Sequence, residues 1–135
     1  MTKNFWRRGI AASEFAAVAP FLILLTFGTY DVVQVMQTTV RLERAARNGA
    51  QYALANPSDL AGARSAVLSA APSLSTANVP MPVQSCECAA SVVACNANCP
   101  SGLVRVITVS ATQTLTPLLL KDRTSGVGSA VVRLR

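Results

Sequence analysis

From Phe15 to Tyr30 the chain carries no charged residue, and Lys3, Arg7 and Arg8 stand just ahead of that run. Adding Ile10 to Ala12 brings the apolar segment close to the ~20 residues that span a bilayer as a helix. Within it, Glu14 is the only residue that ionises. Nothing basic follows until Arg41. The clustering of basic residues on one flank predicts a cytoplasmic N-terminus, with everything after about Asp31 on the far side of the membrane.

The overall charge of +6 does not by itself point to nucleic acid. Half of the excess flanks the apolar run, and the rest is single arginines without a stripe or interleaved aromatics, so no nucleic-acid partner is expected. The residues beyond the membrane are rich in small side chains and poor in aromatics, which predicts a thin core. There is no histidine, and Asp31, Glu43, Asp59, Glu87 and Asp122 are scattered singly. No paired carboxylates, phosphate-cradling glycine loop or nucleophile elbow is present, so neither an enzyme nor a cofactor is expected.

Three readings compete for the N-terminus. A secretory signal would be cut at a small-x-small site after its apolar core, but "AAVAP" lies before the leucine-rich "FLILLTF". An uncleaved signal anchor is the second. Cleavage on the cytoplasmic side, just after Gly9, is the third. It leaves the apolar run on the mature chain, with Ile10 first and Glu14 fifth.

That third arrangement resembles the class III signal of type IV pilins and pseudopilins. The longer stretch "RRGIAASEFAAVAPFLILLTFGTYDVVQVMQTTVRLERAARNGAQYALA" resembles the TadE-like family of the Tad (tight-adherence) pilus and secretion systems. Basic residues before Gly9, Ala-x-x-Glu-Phe-Ala, Pro20 before the leucine run, Phe27-Gly28 and "AARNGAQYA" carry the likeness. The C-terminal "VRVITVSATQTLTPLLL" and "SAVVRLR" resemble that family's end, while residues 57 to 100 carry none of it. The resemblance implies a minor pilin or pseudopilin of the bacterial inner membrane. It would be processed by a prepilin peptidase at the Gly9–Ile10 bond and would work with other pilin-like subunits and Tad assembly proteins. It also implies that Glu14 pairs with the N-terminal ammonium of a neighbouring subunit. Major pilins of these systems usually follow that glutamate with tyrosine. Here Phe15 follows, which fits the pseudopilin branch. Glu14 and Phe15 are therefore the expected assembly residues. The alternative is an uncleaved single-pass protein whose disulfide-stapled outer domain binds an envelope or secretion-system partner.

Physical chemistry bears on Glu14 separately. A charge at the centre of a membrane helix costs ~2.5–3.5 kcal/mol, and less near an interface, where side chains snorkel. An ammonium created at Ile10 would offset that cost more effectively, because opposite charges attract strongly where the dielectric is low.

Helical periodicity continues past the membrane. Val32, Val35, Thr39, Leu42, Ala46, Gly49 and Ala53 recur at spacings of three and four, predicting one buried face. Arg41, Glu43, Arg44 and Arg47 fall on the other faces, solvated. Asn56-Pro57 ends the helix. Pro20 and Gly28 are expected to interrupt it. Ser58 is the expected cap of a second helix over "SDLAGARSAVLSAA", with Leu60, Ala63, Val67 and Leu68 at helical spacing. A proline-rich loop follows, then a strand near 83–93, and further strands at "GLVRVITVSATQ" and "GVGSAVVRLR".

The expected fold is α+β: a long N-terminal helix packed on a small antiparallel sheet of about three strands, the pilin plan. Its segments are a basic leader (1–9), a membrane helix (10–30), an extracytoplasmic continuation of that helix (31–56) and a small outer domain (57–135). Leu118, Leu119 and Leu120 fall in a connection, as core, membrane-facing or partner-contacting residues. Cys86, Cys88, Cys95 and Cys99 lie close together in a segment expected to be extracytoplasmic, which favours disulfides over a metal site. Pairing Cys86 with Cys88 is uncomfortable. Either 86–95 with 88–99 or 86–99 with 88–95 remains.

Overall fold

The computed structural model describes residues 4–89, 91–100, 102–118 and 124–134, with side chains from residue 12 onward except at 124. Leu119 and Leu120 lie outside the described residues, as does the side chain of Ile10. A single helix, α1 (Asn4–Ala55), carries the N-terminal part of the chain. It runs through Pro20 and Gly28 without a break, contrary to the sequence expectation. Proline in a helix interior forfeits one backbone bond. One loss is absorbed in a helix this long, and apolar spans tolerate it. The helix stops where Asn56-Pro57 requires, with the Asn56 amide still bonded to the Tyr52 carbonyl at 2.9 Å.

The second helix, α2 (Leu60–Ala70), is capped by Asp59 rather than Ser58. The Asp59 carboxylate accepts from the Gly62 amide at 2.8 Å, three residues on, which is the reach of an N-cap. Ser58 stands one residue too early. Ala63 and Val67 bury completely, with Leu60 and Leu68 half-buried beside them. The helices meet closely at Gly49, where an added Cβ would lie 2.4 Å from Val67 Cγ2 and 2.9 Å from the Ala63 carbonyl oxygen. After α2 the loop is drawn back by Arg64, which donates through Nε to the Val79 carbonyl at 2.7 Å and through Nη2 to the Thr76 carbonyl. The Thr112 amide joins it to the sheet through the Asn78 carbonyl at 2.8 Å.

Among the described residues the sheet has four antiparallel strands: β1 (Val83–Cys88), β2 (Ser91–Val93), β3 (Val104–Leu115) and β4 (Thr124–Leu134), in the order β2-β1-β3-β4. The segment expected as one strand near 83–93 is a tight hairpin, turning at Ala89 with φ of +49°. The sheet therefore has one more strand than the expected three or so.

One face of β3 and β4 lies under α1. Ala111 pairs with Gly128, Val109 with Ala130 and Ile107 with Val132. Gly126, Gly128 and Val132 are buried and Ala130 half-buried, while Ser125, Val127, Ser129, Val131 and Arg133 are exposed, the alternation of a half-buried strand. The taper from glycine to valine sets the approach of the helix. At Gly128 a Cβ would fall 2.3 Å from the Leu42 carbonyl carbon, so helix and strand backbones are in direct contact. Leu42, Ala45, Ala46, Gly49, Ala50 and Ala53 complete the seam. Val32, expected on this face, is exposed, and Asp31 is buried instead. Asp31, Thr38 and Leu42 are buried and Val35 half-buried, so the series 31, 35, 38, 42 keeps the three-and-four spacing, with 31 and 38 in place of the expected 32 and 39.

Candidate functional site

Among the described residues, the N-terminal half of α1 is left bare by the rest of the molecule. Phe15 and Phe21 are each 68% exposed, and Val18, Leu22 to Leu25, Phe27 and Tyr30 are exposed around the helix. From Ala12, α1 is long and apolar enough to cross a membrane, and almost none of its most apolar stretch is buried by the rest of the protein. An apolar surface of that extent requires a cover of lipid or other helices. Its polar groups suit such a cover. The Thr26 hydroxyl donates to the Leu22 carbonyl at 2.7 Å, and that of Thr29 lies 3.0 Å from the Leu25 carbonyl and 2.9 Å from that of Thr26. Hydroxyls returned to the helix backbone present no unmet donor to hydrocarbon. Glu14 and Phe15 both lie on this exposed part, and Gly9 and Ile10 lie within α1 just before it.

The junction between this half and the sheet is built around Asp31. It is 2% exposed, and its Oδ1 accepts from the Leu118 amide at 3.0 Å. A charge-assisted bond of this kind supports a carboxylate withdrawn from water. Tyr30, Gln34, Val35, Thr114, Pro117 and Leu118 line a cleft of roughly 340 Å³ beside it. The Gln34 amide donates to the Tyr30 hydroxyl at 2.8 Å. In the sequence Asp31 marks the outer end of the apolar run and is one of several scattered acids, with no place in the expected buried face. The spacing 31, 35, 38, 42 was the signal that could have singled it out. Leu118 is 66% exposed.

Arg41, Arg44 and Arg47 are exposed, with Arg47 3.8 Å from Glu43, one turn away. At the far end of α1 the Tyr52 hydroxyl donates to Asp59 Oδ2 at 2.9 Å. The Gly62 amide, and then this hydroxyl, hold the Asp59 carboxyl below its ordinary range. The same bond, together with the negative charge of Asp59, pushes the Tyr52 hydroxyl up.

The cysteines form two disulfides, Cys86–Cys95 and Cys88–Cys99, one of the two pairings left open by the sequence. They close the β1–β2 hairpin and the segment after it. Cys86 is buried in the core and Cys88 half-buried. Among the described residues no cluster of three or more His, Cys, Asp or Glu side chains could hold a metal ion.

A long helix, half of it bare and apolar, carrying a small outer domain, is the arrangement that the sequence resemblance implied. Residues 9–51 match the family model of TadE-like protein. The match begins at Gly9, takes in Glu14, the apolar run and Asp31, and ends inside α1. The TadE-like segment therefore covers the bare half of the helix and most of its packed half. β3 and β4, which also carry the sequence resemblance, lie outside it. No curated protein matches the chain. No solved structure matches it either.

Proposed function

We propose that this chain is a minor pilin or pseudopilin of a Tad-type pilus, held in the inner membrane by α1 with its sheet domain on the periplasmic side. The single observation that carries this reading is the coincidence of the TadE-like segment with a helix whose N-terminal half is apolar and bare. Two independent features support the orientation. Lys3, Arg7 and Arg8 precede the apolar run, as basic residues do on the cytoplasmic side. The two disulfides lie at the other end of the molecule and suit an oxidising compartment. On this reading residues 1–9 are a leader, 10–30 the span, 31–56 its extracytoplasmic continuation and 57–135 the outer domain. The protein acts by assembly, without catalysis.

In this proposal a prepilin peptidase cuts the Gly9–Ile10 bond. The new ammonium at Ile10 then pairs with Glu14 of a neighbouring pilin-like subunit, and Phe15 packs beside that pair. Intact mass and N-terminal sequencing of the membrane-isolated protein test the first step. A chain beginning at Ile10 supports it. A chain beginning at Met1 in cells that contain the peptidase rejects it in favour of an uncleaved anchor whose outer domain binds an envelope or secretion-system partner. Glu14→Ala tests the second step: insertion is expected to persist while recovery with pilus components is lost. Normal piliation by Glu14→Ala would remove the role assigned to the carboxylate.

A further inference from the structure

We propose that Leu118, just beyond the end of β3, is a second membrane contact, lying against the lipid at the outer surface of the bilayer with Asp31 holding it there. The inference rests on the reading that α1 spans the membrane. Between Ile10 and Tyr30 the helix rises roughly 30 Å at ~1.5 Å per residue, the thickness of the hydrocarbon core. Tyr30 therefore stands at the outer boundary, the level at which an amphipathic ring is favoured. Asp31 is the next residue, and a bare carboxylate there would face the edge of the hydrocarbon. It is instead turned toward the sheet and bonded at 3.0 Å to the backbone of Leu118.

That bond fixes depth. A residue whose amide touches Asp31 sits within one side-chain length of the level of Tyr30. Leu118 is 66% exposed there and follows Pro117, which itself lacks an amide donor. The exposed leucine is thus continuous with the apolar surface of α1 at its outer end. The occupant that fits this position is lipid, the same cover that the bare helix requires. Because the sheet domain is packed along α1, the helix and Leu118 together fix its tilt over the bilayer.

The test uses the full chain in lipid nanodiscs, with Trp6, the only tryptophan, replaced by phenylalanine in every variant. Leu118→Trp, Phe21→Trp and Val127→Trp place a reporter at the proposed contact, in the proposed span and on the outward face of β4. Lipids brominated in the upper acyl chain serve as quenchers. Emission from Leu118→Trp is expected to fall on brominated lipid and to lie to the blue of Val127→Trp, which is expected to remain unquenched. Phe21→Trp is expected to be quenched strongly. Quenching of Phe21→Trp without quenching of Leu118→Trp overturns the second contact and leaves the spanning helix intact. Absence of quenching at both positions overturns the membrane reading itself. Adding Asp31→Ala is expected to reduce quenching of Leu118→Trp while leaving Phe21→Trp unchanged. Undiminished quenching of Leu118→Trp in that background overturns the part assigned to Asp31.

Discussion

Gly128→Ala adds one methyl group at the point where α1 and β4 touch backbone to backbone. The new Cβ would stand 2.3 Å from the Leu42 carbonyl carbon, 2.4 Å from the Glu43 nitrogen and 2.6 Å from the Leu42 oxygen. None of these atoms is the tip of a flexible side chain, so relief requires the helix to move off the strand. Reaching the 3.4 Å at which ordinary contact begins takes a displacement of roughly 1.1 Å. A gap of that size forfeits about a quarter to a half of the dispersion energy, or more, along the contact it opens. Here the contact includes Leu42, Ala45 and Ala50 in one core cluster with Ile107, Val109 and Ala111. Overpacking commonly costs about 1–3 kcal/mol, and displacement of a whole helix belongs at the upper end. A stiffer unfolded chain returns only ~0.4–1 kcal/mol. A net loss of ~2–3 kcal/mol lowers Tm by roughly 8–24 °C for a domain of this size. Thermal unfolding in detergent with the disulfides intact, followed by circular dichroism, measures it. Ser129→Ala, one residue on and facing outward, is expected to stay within ~0.5 kcal/mol of the parent. Gly126→Ala is the graded control: its nearest neighbours are side-chain atoms of Leu42 and Thr38 at 3.2 and 3.3 Å, so a cost of about 1 kcal/mol or less is expected. A Gly128→Ala protein that melts with the parent refutes the close approach of α1 to β4, and with it the packing of the domain.

Three further outcomes follow from named contacts. Asp31→Ala removes the acceptor of the Leu118 amide and is expected to cost about 1.5–3 kcal/mol, the range for a hydrogen bond to a charged group, with faster hydrogen exchange at Leu118; unchanged exchange there would contradict the bond. Reducing both disulfides removes loop constraints worth at most about 2.8 kcal/mol each by closure entropy, and the total is smaller because the loops overlap. Replacing Cys86 and Cys95 by serine is expected to cost more than replacing Cys88 and Cys99, since Cys86 is a core residue; the reverse order in denaturant unfolding would contradict its burial. The Tyr52–Asp59 pair predicts a pH window. Asp59 titrates below its ordinary 3.8, so its contribution is present above that pH and is lost as pH falls through the lowered folded value. Tyr52 titrates above its ordinary 10.0, so its contribution is present below that pH and is lost as pH rises through the raised folded value. Tyr52→Phe is expected to flatten the alkaline arm of the stability profile and to weaken the acid arm, and an unchanged profile would contradict the pairing.

Local chemistry made much of this fold legible before any coordinates. Asn56-Pro57 ends α1 where its backbone geometry demands, and Leu42, Ala46, Gly49 and Ala53 mark its buried face. The departures have physical causes. Apolarity favours Val32 for the buried face, but the seam turns Asp31 inward, and a backbone amide makes a buried carboxylate tolerable there. Ser58 and Asp59 are both good caps, and only the start of the helix at Leu60 decides between them. The β1–β2 hairpin turns at Ala89, where no glycine or asparagine announces a positive φ. The disulfides that close this hairpin and the segment after it join residues 9 and 11 positions apart, and spacing alone left their partners open.

The two carboxylates at the ends of the apolar run show what a single chain's pattern can reveal. Asp31 is buried by its own sheet, so its setting is settled inside one molecule and is written in a three-and-four spacing shared with Leu42. Glu14 lies on the bare half of the same helix, exposed beside Phe15, and among the described residues no other element covers it. A seam leaves a period in the sequence because one face is treated differently from the rest. A helix covered on all sides by lipid or by other subunits leaves none, and the segment around Glu14 has none. The lack of a seam there therefore carries information: it is the pattern expected of a surface whose cover comes from outside the chain. Selection on Glu14 would then act through assembly rather than folding. Glu14→Ala should accordingly leave the melting of the outer domain unchanged, while Asp31→Ala should lower it.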